Sequence, residues 1–171
     1  GLSSEFECSE QLGVMGIGLY RTEIPFMNRH CFPSEQEQIN LYEKILASFP
    51  QKSVTMRTLD VGGDKSLPYF PIIEDNPFLG WRGIRITLDH PEIFLVQVRA
   101  MLRANQQHKN LEIMLPMISN VTEVDDAIRL INQAYLEVES EIIAEQKTQF
   151  GAENNLSKQQ LTRPKIGIML E

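Results

Sequence analysis

Leu111-Glu112-Ile113-Met114-Leu115-Pro116-Met117 is an apolar run, and Thr122-Glu123-Val124-Asp125 then opens a helical pattern carrying Val124, Ile128, Ile131, Tyr135, Val138 and Ile142. A short apolar run between polar segments reads as a buried strand. Pro116 belongs at its end, because proline removes a ladder donor. The three- and four-residue steps that follow are those of a helix with one apolar face, capped at Thr122. A doubly buried strand followed at once by a helix is one unit of a parallel α/β sheet.

Working outward, the same alternation recurs. Ser34-Glu35-Gln36-Glu37 after Pro33 is a capping box, and Ile39, Leu41, Tyr42, Ile45 and Leu46 continue it as a helix. Asp89 with Pro91 opens another helix, whose apolar face runs through Phe94, Leu95, Val98, Met101 and Leu102 and which ends near 107–110. Residues 148–163 are polar, with Gly151 and Asn154-Asn155, and read as a surface loop.

Three further apolar runs each end in a charged residue: Gly16-Ile17-Gly18-Leu19-Tyr20 before Arg21, Val54-Thr55-Met56 before Arg57, and Ile166-Gly167-Ile168-Met169-Leu170 before Glu171. Each charge therefore falls just past the C-terminal end of a strand, the rim where β/α barrels carry their chemistry. Two arginines and a carboxylate on one rim suggest a small, strongly anionic ligand bound together with a divalent metal.

Composition narrows the partners. With 171 residues, 42% hydrophobic and 23% charged, the chain is an ordinary globular domain, and its net charge of -7 argues against a broad surface for nucleic acid or acidic lipid. No stretch approaches the roughly 20 apolar residues of a membrane span, and the start at Gly1-Leu2-Ser3-Ser4-Glu5 lacks the order of a signal peptide. Cys8 and Cys31 have the spacing of neither a zinc site nor a redox pair and read as reduced thiols, so a cytoplasmic location is expected.

A complete eight-unit barrel takes about 250 residues. The chain is shorter and stops at Glu171 without a closing helix, so the expectation is a partial TIM (β/α)8 barrel. About half of the barrel is expected, one partial domain over residues 1–171, with upstream sequence removed.

The densest chemistry lies between residues 57 and 85. Arg57-Thr58-Leu59-Asp60-Val61-Gly62-Gly63-Asp64-Lys65 leaves a strand for a loop whose paired glycines permit close approach to a ligand. Asn76-Pro77-Phe78-Leu79-Gly80-Trp81-Arg82-Gly83-Ile84-Arg85 sets an arginine directly after the sole tryptophan. Alone, an arginine ending a strand is a salt-bridged surface residue, and the second segment a packed turn. Asp60, Asp64 and Lys65 read as loop-ordering residues, the histidines 30, 90 and 108 as solvated or capping, and Arg99, Arg103 and Lys109 as a solvated helix face.

Taken together, Gly18-Leu19-Tyr20-Arg21-Thr22-Glu23, the 57–65 and 76–82 segments and Gly167-Ile168-Met169-Leu170-Glu171 resemble the phosphoenolpyruvate-utilising enzymes. The likeness is closest to Enzyme I of the bacterial phosphotransferase system, and the wording from Leu19 to Met27 is similar to the nitrogen-type enzyme. The resemblance covers the chain from about Leu12 onward. It implies that Arg21 and Arg57 hold the phosphoryl group of phosphoenolpyruvate, that Arg82 lies against the phosphate or enolate oxygen, and that Glu171 is one ligand of Mg²⁺. Fixed guanidinium forks and a hard cation suit a transition state whose charge is spread over phosphoryl oxygens.

The resemblance also implies what is missing. The family's phosphoacceptor histidine lies in an upstream domain, and later strands carry the Asn-Asp pair of the metal site and the cysteine that protonates the enolate. No catalytic residue is therefore assigned within 1–171, and this stretch alone is expected to be inactive. For the whole protein the implied activity is transfer of phosphate from phosphoenolpyruvate, through an enzyme histidine, to a histidine phosphocarrier protein, in a homodimer. Two alternatives stand beside it: the barrel of pyruvate phosphate dikinase or phosphoenolpyruvate synthase, and an isolated half-barrel whose uncovered edges make it a dimerisation module.

Overall fold

The computed structural model describes residues 17–62, 67–70, 83–150 and 160–170. Four strands, β1 (Ile17–Arg21), β2 (Val54–Arg57), β3 (Leu111–Ile118) and β4 (Lys165–Leu170), form one sheet in the order β1-β2-β3-β4, with every neighbouring pair parallel. Between them come the helices α1 (Glu23–Met27), α2 (Glu35–Ala47), α3 (Ile84–Asp89), α4 (Pro91–His108) and α5 (Val121–Phe150). Parallel strands laid down in sequence order, with helices between successive strands, are the winding of a β/α barrel, and the arrangement is that of part of one.

Local chemistry sets the helix ends. Ser34, in extended backbone, accepts the N–H of Glu37 at 3.2 Å and starts α2 as the capping box anticipates. Pro91 occupies the first turn of α4, where its missing N–H costs nothing, and Lys109 closes that helix with a left-handed φ of 55°. The cap of α5 differs from the sequence reading. Asn120, not Thr122, takes the N–H of Glu123 on its Oδ1 at 3.0 Å, so the cap lies two residues earlier than expected and the helix begins at Val121. It also runs on to Phe150, into the stretch read as loop.

One face of the sheet packs on the helices. Val54, Met56, Leu111, Ile113 and Leu115 point into a core with Tyr42, Leu46, Phe94, Val98, Met101, Ala127, Ile131 and Val138. Burying a large apolar side chain of this kind stabilises the fold by roughly 1.5–3 kcal/mol. The strand period of two sends the intervening residues, Thr55, Arg57, Glu112, Met114, Lys165, Gly167 and Met169, to the opposite face. Thr55 donates to Glu112 across that face at 3.2 Å. In a closed barrel it would be the interior.

Two expectations about side chains are corrected. Ile128, assigned to the apolar face of α5, is exposed, because that face turns toward Ala127, Ile131, Ala134 and Val138 instead. Arg99 and Arg103 are not a solvated face: Arg99 reaches Glu137 at 2.7 Å and Glu141 at 2.5 Å, and Arg103 reaches Glu141 and Glu145 at 2.8 Å. Helical spacing alone could not show that α4 and α5 lie side by side there. Among the described residues no helix is long and apolar enough to cross a membrane.

Candidate functional site

Arg21 and Arg57 are register partners at the C-terminal ends of β1 and β2. Their predecessors, Tyr20 and Met56, are also partners and are buried in the helix-side core. Alternation therefore places both arginines on the other face, on strands spaced about 4.8 Å apart. Arg21 is exposed, whereas the Arg57 side chain is only 6% accessible. Two guanidinium groups so close repel one another, and burial of one raises the demand for counter-charge.

That counter-charge comes from Glu23, given no role of its own in the sequence, and from Asp60, read there as ordering the loop. Glu23, the first residue of α1, sets Oε1 2.5 Å from Nη2 of Arg57, and Asp60 sets Oδ2 3.0 Å from the same nitrogen. Both carboxylates are buried. Burial, and then the negative charge of Glu23, push the Tyr20 phenol up to about 12, so it stays neutral beside them. Two positive and two negative groups cancel, so a strongly anionic ligand here would need further cations.

Among the described residues Arg57 is not saturated: its Nη1 meets only the thioether of Met169, at 3.8 Å, and its buried Nε has no hydrogen-bond partner. Guanidinium carries five N–H donors in a rigid fork, and a buried one left unmade costs about 1–3 kcal/mol. An anion on this face would satisfy it.

Val61 and Gly83, on either side of the loop after β2, meet near the same end. Gly83 donates its N–H to the Val61 carbonyl at 3.0 Å and has φ +63°; a Cβ there would sit 3.0 Å from Cβ of Met117 and 3.5 Å from Oδ1 of Asp60. Only glycine fits, because the backbone needs a positive φ and the neighbours leave no room. Arg85, just inside α3, donates Nε to Glu123 at 2.9 Å and also bonds the Ser119 hydroxyl. Burial favours the neutral acid at Glu123, but the Ser119 N–H and the Arg85 guanidinium outweigh it and hold that carboxyl below the usual carboxylate range.

Of the residues singled out in the sequence, the structure brings Arg21, Arg57 and Asp60 together. Arg82, Asp64, Lys65, Cys8 and Glu171 lie outside the described residues. His30 is exposed, His90 packs edge-on against Phe70 with centroids 4.9 Å apart, and His108 lies in the last turn of α4. For Mg²⁺ the described residues do not suffice: no group of three His, Cys, Asp or Glu among them could hold a metal, and Glu23 and Asp60 are engaged by Arg57.

Comparison with known proteins decides the family. Residues 1–171 match the model of the PEP-utilising enzyme, PEP-binding domain. The chain belongs to the PEP-utilising enzyme family. Its PEP-binding domain is 57% identical, over the full chain, to a protein of Escherichia coli K12 named phosphoenolpyruvate-dependent phosphotransferase system, of which it covers 21%. Similarity extends to the phosphoenolpyruvate-protein phosphotransferases of Staphylococcus carnosus, 48% identical over 75% of this chain and 22% of that protein, and of Bacillus subtilis, 49% identical over 67% of this chain and 20% of that protein. The chain thus spans about a fifth of the length of these curated relatives. Membership in the PEP-utilising family agrees with the resemblance read from the arginine segments.

Sequence reasoning missed Gln97 and gave Thr22 and Glu23 no role beyond their place in the resembling segment, although all three are buried and bonded at the arginine end of the sheet. A glutamate and a glutamine carry no apolar signal, and the five-residue α1 contains Pro25, so its helical character was not legible.

Proposed function

We propose that this chain is the phosphoenolpyruvate-binding part of a phosphoenolpyruvate-protein phosphotransferase, a transferase that passes phosphate through an enzyme histidine to a histidine phosphocarrier protein. The observation that carries it is the register pair Arg21 and Arg57, with Arg57 buried and its Nε and Nη1 without an oxygen acceptor among the described residues. The names of the relatives support the same reaction.

In this reading the phosphoryl group lies on the face of the sheet opposite the helices, across the two guanidinium forks. Arg57 is already fixed by Glu23 and Asp60, so it does not have to be ordered when charge develops. Arg21, exposed, closes on the ligand from the edge strand. The local charge balance calls for further cations, which Arg82 and Mg²⁺ held in part by Glu171 supply. The chain is one partial domain; the acceptor histidine, the proton donor to the enolate and the carrier surface belong elsewhere in a cytoplasmic homodimer.

The test is transfer of labelled phosphate from phosphoenolpyruvate. The complete protein is expected to label the carrier, and residues 1–171 alone to label nothing. Transfer by the isolated chain would overturn the assignment of roles.

A further inference from the structure

Gln97 lies in α4, in the helix layer outside the sheet, yet its amide reaches both arginine-bearing strand ends. It is 1% exposed. Its Oε1 accepts the N–H of Leu59 at 2.8 Å, while its Nε2 donates to the Thr22 hydroxyl at 3.0 Å and to the Tyr42 hydroxyl at 3.2 Å. Thr22 follows Arg21, and Leu59 lies two residues past Arg57.

The direction of every bond in this network is determined. The Thr22 hydroxyl gives its proton to the Arg57 carbonyl at 2.7 Å, so only its lone pairs face Gln97. Tyr42 likewise gives its proton to Oε1 of Gln38 at 3.1 Å, and Gln38 donates to the Pro33 carbonyl at 3.0 Å. A donor pair and an acceptor on one side chain are therefore required at position 97. Glutamine offers both; ionised glutamate would offer no donor, and leucine neither.

We propose that Gln97 is a positioning residue that sets the separation and aim of Arg21 and Arg57 for a phosphorylated ligand. The inference rests on those two arginines holding that ligand. The bond from Thr22 to the Arg57 carbonyl joins β1 to β2 just beyond their last paired residues, and Gln97 ties that junction to the next turn of the β2 loop. Without it Thr22 and Leu59 each lose their link to α4, and the two strand ends can separate. A displacement of about 1 Å can cost a bound reactant on the order of a hundredfold.

The experiment is steady-state kinetics of the complete protein with phosphoenolpyruvate as the varied substrate. Gln97→Leu, Gln97→Glu and Thr22→Val are compared with Arg57→Lys and with Val138→Ala, a core truncation in α5. All three network variants are expected to raise KM for phosphoenolpyruvate by about tenfold, more than they change kcat, as lost uniform binding does. Val138→Ala is expected to lower thermal stability and leave KM unchanged. Should Gln97→Leu fail to fold, Thr22→Val, which keeps its shape, carries the test. Wild-type KM in the network variants alongside an impaired Arg57→Lys would overturn the role of Gln97 alone, as would an equal KM rise in Val138→Ala. A wild-type KM in Arg57→Lys would overturn the reading of the arginines, and this inference with it.

Discussion

Oε1 of Glu23 lies 2.5 Å from Nη2 of Arg57, with the two side chains 3% and 6% accessible. The pair joins the first residue of α1 to the last residue of β2, and Asp60 shares the same nitrogen. A guanidinium this far from water needs a fixed anion, and the buried ion pair is also what aims the fork. Removing one partner of such a pair leaves an uncompensated charge, which generally costs about 3–5 kcal/mol.

Glu23→Ala is therefore expected to destabilise the fold by about 3 kcal/mol, the lower end of that range, because Asp60 remains. Urea unfolding checks this. A loss below about 0.5 kcal/mol, the level of a surface substitution, would show that Arg57 does not depend on Glu23.

Gly83→Ala tests the close approach of the loop to β3. The added methyl must tolerate φ +63° and meet Met117 at 3.0 Å. A cost of about 1–3 kcal/mol is expected, together with weaker phosphoenolpyruvate binding, since the residue before it is Arg82. Unchanged thermal stability and unchanged binding would contradict the geometry.

The ion network between α4 and α5 should give stability its acid limb. Arg99 holds Glu141, Arg103 holds Glu145, and Gln133 with Arg99 hold Glu137 below the usual carboxylate range. Since the folded state binds these protons less readily than the unfolded chain, the contribution is complete above the unfolded value of about 4.3 and lost as pH falls through the folded values. These carboxylates are 40–58% accessible, so each pair is worth at most about 1 kcal/mol. Glu141→Gln is expected to lower stability by that amount at pH 7 and by progressively less as pH falls below the unfolded value. A gap that did not shrink on acidification would show that the loss is not electrostatic.

At the opposite end of the sheet, Asn110 donates Nδ2 to the carbonyls of Leu46, Phe49 and Lys52 at 2.9–3.1 Å, gathering the turn between α2 and β2. Asn110→Ala removes those bonds, while the Leu46 and Phe49 carbonyls keep the N–H groups of Phe49 and Lys52, and is expected to cost about 1 kcal/mol. It should leave phosphoenolpyruvate binding untouched, because the site lies at the other end of β2. Calorimetry and ligand titration on the same variant separate the two outcomes.

The strands were legible because each is a short apolar run with polar flanks, and α2, α4 and α5 because their apolar residues keep helical spacing. Arg21 and Arg57 could be placed on one rim from their position after two such runs. What joins them was not legible. Glu23, Gln97 and Thr22 are polar residues whose burial depends on partners tens of residues away, such as Leu59 and the Arg57 carbonyl. The extended ion network was misread for the same reason: Arg99 and Arg103 look solvated on α4 until α5 is laid beside it. Helix α3, only six residues after a glycine turn, is too short to show a period.

The central claim is that Arg57, paired with Arg21, holds a phosphorylated acid on the face of the sheet opposite the helices. Calorimetric titration of phosphoenolpyruvate into the complete protein and its Arg57→Ala variant, at equal ionic strength, tests it most directly. Affinity is expected to fall at least about a hundredfold, equivalent to the loss of roughly 3 kcal/mol of charge-assisted bonding, while the variant still unfolds cooperatively. A folded variant that binds phosphoenolpyruvate as tightly as the wild type would contradict the claim.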